Sequence, residues 1–184
     1  MFRSHRDEGF TLIELLIVIA ILGILAAAVL VAVDPVGRIQ EARDARRAAE
    51  VNGLLNAVLN EQVDARALYD GNAPATVAGS SKVQVIVSSV TGIDCTVPAS
   101  APVCTGQTLV LTGTDTCVVD IHDLAPNYIA AIPVDPRGAG QNPAGSGLPL
   151  GATNTGYYMS RDSAGRITIG ACYPEKTSAV SVSR

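Results

Sequence analysis

The sequence predicts an α+β protein in which one long N-terminal α-helix packs on a small head of antiparallel β-strands. A block of apolar residues fills positions 10–33, and a segment with helical periodicity follows it over positions 34–69. From residue 70 onward the composition changes to Val, Thr, Ser, Gly and Pro, which is typical of strands and loops. With 184 residues the chain has room for one modest domain and one extended element.

The apolar block is long enough to cross a lipid bilayer as a helix. Residues 15–33 contain no charged side chain, and about 20 apolar residues suffice to span the hydrocarbon core. A secretory signal peptide is the alternative, but such peptides have a shorter apolar core that ends at a small-residue cleavage site. Here the block runs into Asp34 and Pro35 and then into a charged helix, so we expect the segment to be retained.

Glu14 is the one charged residue inside the apolar block. A carboxylate in a transmembrane helix costs about 2.5–3.5 kcal/mol on insertion scales, so it indicates a function and requires a cationic partner. The block contains no Lys or Arg, but cleavage after Gly9 would create a positive α-amine on Phe10. That amine can pair with Glu14 of its own chain or of a neighbouring copy, and burial in a helix bundle would favour the second pairing.

The run Gly-Phe-Thr-Leu-Ile-Glu, which follows a short charged leader and precedes the apolar block, resembles the processing site of type IV pilins and of type II secretion pseudopilins. The resemblance implies that a membrane-embedded prepilin peptidase cleaves between Gly9 and Phe10 and methylates the new N-terminus on Phe10. It also implies that Glu14 pairs with the N-terminus of the next subunit during filament assembly, and Thr11 belongs to the same assembly motif.

The resemblance further implies the pilin fold and four segments. These are a prepilin leader (1–9), a transmembrane and assembly helix (10–33), an amphipathic helix (34–69) and a globular β-rich head (70–184). The implied partners are identical or related pilin subunits in a helical polymer, the prepilin peptidase, the inner-membrane assembly platform and membrane lipid. The subunit would be a single-pass inner-membrane protein before assembly and part of an extracellular pilus or periplasmic filament afterwards.

Pro35 lies just beyond the apolar block, whereas many pilins have a proline within it. Proline removes a helical hydrogen bond and disfavours helical geometry at the preceding residue, here Asp34. Two outcomes are open. The helix is kinked or melted around residues 31–36, or the spanning helix ends and Pro35 lies in the first turn of a second helix.

The amphipathic segment has one apolar face and one charged region. The apolar face consists of Val51, Leu54, Leu55, Val58, Leu59 and Val63, and the helix is expected to end near Tyr69. Residues 38–50 carry charges of both signs among alanines. Two interpretations of this region are open: a solvated face with salt bridges along the helix, or a surface that pairs with neighbouring subunits.

The head shows several strand and turn patterns. We expect a strand over 82–90, a hairpin of 108–112 with 116–120, a short helix or turn over 120–128, a glycine-rich loop over 137–156, and a hairpin of 156–161 with 166–171. Such strands would pack on the apolar face of the amphipathic helix.

Four cysteines lie in the head, which favours two disulfides in a small exported domain. Three pairings are possible, and we favour Cys95–Cys104 as a local bridge and Cys117–Cys172 as a long-range bridge. A zinc site is disfavoured because there is no Cys-x-x-Cys pair and His122 is the only nearby histidine. We therefore expect no bound metal.

Other functions have little support in the sequence. A net charge of -4 and 4% aromatic residues argue against nucleic-acid binding as a main role. A calcium site at Asp135, Asn154 and Asp162 is the alternative to turn-capping roles, but calcium needs six to eight oxygen ligands and few acids are near. His122 beside Asp123 suggests a surface pair, and no nucleophile and base are recognisable, so no enzyme activity and no cofactor are expected.

The function expected is therefore that of a structural subunit of a type IV pilus-like filament, assembled by helix packing. Two alternatives stay open. The chain is a pseudopilin of a type II secretion or DNA-uptake system, or it is a minor pilin with adhesive specificity in its head.

Overall fold

The structure is a computed structural model that describes residues 9–72, 75–76, 82–89, 102–104, 107–108, 117–138 and 153–184. Two helices come first, α1 (Leu12–Val33) and α2 (Pro35–Ala65). The chain divides into an N-terminal unit that ends at Ile39 and a second unit that runs from Gln40 to Arg184.

The junction of the two helices lies at Asp34, whose φ of 43° is in the left-handed region and ends α1. Pro35 is the first residue of α2, where its missing N–H is not needed by the helix. The Oδ1 atom of Asp34 accepts a hydrogen bond from the Gly37 N–H at 3.2 Å, which caps the new helix. Of the two outcomes open for Pro35, this geometry is the one in which proline starts a second helix.

The strands are numbered in chain order. They are β1 (Gly71–Asn72), β2 (Ala75–Thr76), β3 (Lys82–Val87), β4 (Pro102–Cys104), β5 (Gln107–Thr108), β6 (Val118–Asp120), β7 (Asn154–Arg161), β8 (Ile167–Ala171) and β9 (Ser181–Ser183). Five of them form one sheet in the order β6-β3-β7-β8-β9, while β1 pairs with β2 and β4 pairs with β5. Among the described strands, all pairings are antiparallel except that of β3 with β6. The predicted α+β fold is confirmed.

The core lies between α2 and this sheet. Val51, Leu54, Leu55 and Val58 are buried there, as the helical period predicts, and Leu59 packs against them partly buried. The prediction for Val63 is wrong, because this side chain is 75% exposed. Five residues after Val58 at about 100° per residue, Val63 points some 140° away from the buried face.

The C-terminal end of α2 also differs from expectation. The helix stops at Ala65 rather than near Tyr69, and the next residue, Arg66, has a φ of 53° that ends the helical geometry. Tyr69 is nevertheless buried in the core.

The strand predictions are mostly confirmed. The C-terminal hairpin is β7 with β8, although β7 begins at Asn154 inside the predicted loop. The strand at 82 ends at Val87, and a 3-10 helix occupies His122–Leu124. The hairpin of 108–112 with 116–120 is not seen among the described residues, since Thr108 pairs with Pro102 and β6 pairs in parallel with β3. Residues 109–116 and 139–152 lie outside the described residues.

The predicted disulfide pairing is wrong. Cys104 bonds to Cys172 across a sequence separation of 68 residues, which rules out both Cys95–Cys104 and Cys117–Cys172. Cys117 is also disulfide-bonded, and Cys95 lies outside the described residues. The fold brings the end of β4 next to the residue after β8, and sequence spacing carries no information about that proximity.

A buried ionic group, which we call the Arg47 cluster, joins α2 to distant parts of the head. It consists of Arg47, Asp44, Asp135 and Glu175. The Nε and Nη2 atoms of Arg47 donate to the two carboxylate oxygens of Asp135 at 2.7 and 3.0 Å. Its Nη1 atom donates to Asp44 at 2.8 Å, and Nη2 also donates to Glu175 at 3.0 Å. Arg47 and Asp44 were expected on a solvated or intersubunit face, and for these two residues that expectation is wrong because both are buried.

Asp44 extends the cluster to the segment that follows β8. Its carboxylate accepts the backbone N–H groups of Glu175, Lys176 and Thr177 at 3.0, 2.7 and 3.1 Å. Burial alone raises the pKa of Asp44, but these hydrogen bonds and the one from Arg47 outweigh it and hold the pKa well below its usual range. The carboxylate is therefore ionised in the folded protein and holds the segment against α2.

Gly156 allows β7 to approach this cluster. Its φ is 82°, and a Cβ atom at this position would lie 2.7 Å from Cβ of Asp135. A larger residue would have to displace Asp135 from Arg47.

Replacing Arg47 with alanine is expected to lower the free energy of unfolding by about 3–5 kcal/mol, because the buried carboxylates of Asp44 and Asp135 and the partly buried carboxylate of Glu175 lose their common cation. Arg46→Ala is the matched control, since Arg46 is 63% exposed and its salt bridge to Glu50 should contribute less than about 1 kcal/mol. Denaturant unfolding of the full chain in detergent, followed by circular dichroism, measures both. Equal effects of the two substitutions would contradict the role of the cluster.

Acid should weaken the same contact. Because the folded pKa of Asp44 lies below the unfolded value of about 3.9, its stabilisation is complete above that pH and is lost as the pH falls through the folded pKa. Asp44→Asn should therefore lower stability at pH 7 and make stability fall less steeply below pH ~4. Unfolding midpoints measured from pH 7 to pH 2 test this, with the exposed Asp70→Asn as control. Parallel curves for wild type and Asp44→Asn would contradict it.

Candidate assembly site

The start of α1 is a capping box built from Thr11 and Glu14. The Thr11 N–H and hydroxyl donate to Oε2 of Glu14 at 2.8 and 2.7 Å, and the Glu14 N–H donates to Oγ1 of Thr11 at 3.3 Å. The sequence contains the signature of this motif, a Thr followed three residues later by a Glu before an apolar run. The resemblance placed both residues in one assembly motif, and the capping box gives the physical reason why they lie together.

The two residues before the capping box form the predicted cleavage site. Gly9 and Phe10 are exposed, and the Phe10 side chain is 90% exposed. No atom of the described residues lies within 4 Å of the position that a Cβ atom on Gly9 would occupy. The bond between Gly9 and Phe10 is therefore sterically accessible.

Helix α1 is apolar on every side and has no buried residue. The helical run Leu12–Ala65 contains an 18-residue window with a mean hydropathy of 3.3, none of it buried, which makes it long and apolar enough to cross a membrane. An exposed apolar surface of this extent marks a membrane or protein interaction site. Lipid or other apolar helices must therefore cover α1.

The residues considered for calcium are engaged elsewhere. Asp135 belongs to the Arg47 cluster, and the Asn154 side chain accepts the Gly156 N–H at 2.8 Å. Asp162 closes the β7–β8 turn by accepting the N–H groups of Ala164 and Arg166, both at 2.9 Å. Asn154 and Asp162 lie at opposite ends of β7, about 26 Å apart at ~3.3 Å per residue. These three side chains therefore do not form one site.

No group of three or more His, Cys, Asp or Glu side chains suited to a metal ion is found among the described residues. The expected pairing of His122 with Asp123 is wrong. The Nδ1 atom of His122 contacts Oδ2 of Asp120 at 3.0 Å, while Asp123 accepts the Tyr69 hydroxyl at 2.9 Å.

Comparison with known proteins agrees with the geometry of the N-terminus. Residues 4–30 match the family model of the prokaryotic N-terminal methylation motif. No curated protein and no solved structure matches the chain significantly. The motif is the leader of type IV pilins and pseudopilins, and the α+β fold, in which the helical run Leu12–Ala65 precedes a mainly antiparallel sheet, matches the pilin fold.

The motif at residues 4–30 supports a type IV pilin-like or pseudopilin protein. The motif implies processing by a prepilin peptidase and assembly into filaments, and it suggests a structural subunit rather than an enzyme. The leader and the apolar helix fit a protein that is anchored in the membrane before assembly.

Proposed function

We propose that the chain is a structural subunit of a type IV pilus-like filament, cleaved between Gly9 and Phe10 and polymerised through α1. The observation that supports this most strongly is that the methylation motif at residues 4–30 extends through most of α1, and that α1 has no buried residue. A helix that is apolar on all sides needs a complete apolar environment, and a bundle of identical helices supplies one.

Assembly transfers α1 from lipid to the filament core. The membrane holds single-pass subunits whose heads lie outside the cytoplasm, and the inner-membrane assembly platform moves them into the growing filament. In both places α1 is surrounded by apolar groups, so the transfer does not expose it to water. A head-to-tail contact that repeats without closing produces a filament rather than a ring.

Glu14 sets the position of each incoming subunit relative to its neighbour. Cleavage gives Phe10 an α-amine, and N-methylation retains its positive charge. Thr11 orients the Glu14 carboxylate at the start of α1, where the carboxylate can accept a hydrogen bond from the amine of a neighbouring subunit. An unpaired charge in the apolar bundle would be costly, so subunits out of register are rejected. Thr11 is a positioning residue in this scheme.

Intact-mass and N-terminal analysis of material sheared from cells tests the proposal, in wild type beside Gly9→Val, Glu14→Ala and the head control Asp70→Ala. The mature chain should begin with N-methylated Phe10. Glu14→Ala should be processed and stay in the membrane but fall to background in the sheared fraction. Gly9→Val should keep its leader, because a branched side chain replaces hydrogen at the cleavage site. Asp70→Ala should resemble wild type.

An uncut Met1 or another N-terminus in wild type would contradict the processing step. Unchanged shedding of Glu14→Ala would contradict the role of Glu14. Correct processing with no wild-type chain in the sheared fraction would favour a pseudopilin that forms a short periplasmic filament.

A further inference from the structure

Two pairs of opposite charges occupy matching positions on α2. Arg43 and Arg46 form the arginine pair, and Glu61 and Asp64 form the carboxylate pair. Within each pair the residues are three apart, and each carboxylate follows one arginine by 18 residues. Since an α-helix has ~3.6 residues per turn, 18 residues are about five whole turns, or about 27 Å. The two pairs therefore point to the same side of α2.

The arginine pair is accessible on the flank of the helix. Its side chains are 41% and 63% exposed for Arg43 and Arg46. Arg43 contacts Glu175 at 3.4 Å, and Arg46 donates through Nε to Glu50 at 2.7 Å. A guanidinium has five N–H donors, so each arginine can bind a further carboxylate while it keeps its present one.

The carboxylate pair lies in an acidic environment. No Lys or Arg forms a salt bridge with Glu61 or Asp64 among the described residues. The Oε2 atom of Glu61 is buried and has no hydrogen-bond partner there. Burial and the nearby carboxylates of Asp123 and Asp64 raise the pKa of Glu61. The chain's own arginine pair cannot compensate these charges, because ~27 Å exceeds the Debye length of about 8–10 Å.

We propose that the arginine pair of one copy binds the carboxylate pair of a neighbouring copy, with the two α2 helices side by side, parallel and offset by about 27 Å. This inference rests on the proposed function, since a filament repeats one head-to-tail contact from copy to copy. At that offset Arg43 meets Glu61 and Arg46 meets Asp64 at the same time. A helix of 31 residues is about 46 Å long, so about 19 Å of the two helices overlap.

The contact is heterologous, because each copy uses its arginine pair toward one neighbour and its carboxylate pair toward another. Such a contact leaves one unused pair at each end and can be repeated without limit. It also sets the axial step between touching subunits, since only one offset joins both ion pairs.

Complementary charge reversal in the full chain tests the contact. One variant, Arg43→Glu/Arg46→Glu, has only acidic residues at the four positions, and the other, Glu61→Arg/Asp64→Arg, has only basic residues. When either variant is expressed alone, the amount of filament in the sheared fraction should fall about tenfold or more, because like charges then face each other across the interface. Co-expression of the two variants should restore filaments that contain both chains, and a chain that carries all four changes should polymerise alone.

Folding is checked by protease resistance of the membrane fraction and by the Cys104–Cys172 bridge. Should a reversal fail this check, the neutral variant Arg43→Gln/Arg46→Gln/Glu61→Gln/Asp64→Asn replaces it, with the same loss of filament expected. Wild-type yields from the folded variants, or no rescue on co-expression of two folded variants, would overturn the inference. If either result is obtained while filaments still require Glu14, the proposed polymerisation stands. If the wild-type chain forms filaments neither on the cell surface nor in the periplasm, both proposals are refuted.

Discussion

The structure depends on one constraint, which is that the apolar helix α1 has no buried residue. Its residues from Leu12 to Val33 are all unburied, and apolar surface left in water costs about 25 cal/mol per Å². The protein is therefore incomplete as a monomer in water and needs lipid or other copies around this helix. The capping box of Thr11 and Glu14 is compatible with an apolar environment around α1, because it places the carboxylate in the first turn of the helix.

Helix α2 has a buried face that packs on the head and a flank that carries exposed charges. One face packs on the sheet and holds the Arg47 cluster, which connects α2 to Asp135 before β7 and to Glu175 after β8. The Cys104–Cys172 bridge fixes the chain just before that second contact. This arrangement holds Asp135 and Glu175 against α2, while the exposed charges of the same helix lie on a neighbouring flank.

Local patterns predicted the parts of the fold that depend on neighbouring residues. The helical period identified the buried face from Val51 to Leu59, and a glycine turn identified the hairpin of β7 and β8. The Thr-x-x-Glu spacing is the signature of a capping box, but Thr11 and Glu14 were connected only through the family resemblance and no capping box was predicted. The position of Pro35 limited the helix boundary to two outcomes.

Features that depend on distant residues were not predictable in the same way. Arg47 reaches partners 88 and 128 residues away, and in the sequence it looked like one more surface charge. The disulfide pairing followed the three-dimensional arrangement of β4 and β8 rather than cysteine spacing. Val63 looked like part of the apolar face because it follows Leu59 by four residues, but Leu59 itself lies at the edge of that face.

The central claim is that copies of α1 cover one another in the assembled protein. Electron cryo-microscopy of filaments isolated from wild-type cells tests it most directly, because a helical reconstruction shows what surrounds each α1. The account predicts chains that start at Phe10, with α1 helices packed together in the filament core and the heads outside. Filaments of this chain in which the leader remains or α1 contacts no other α1 would contradict it.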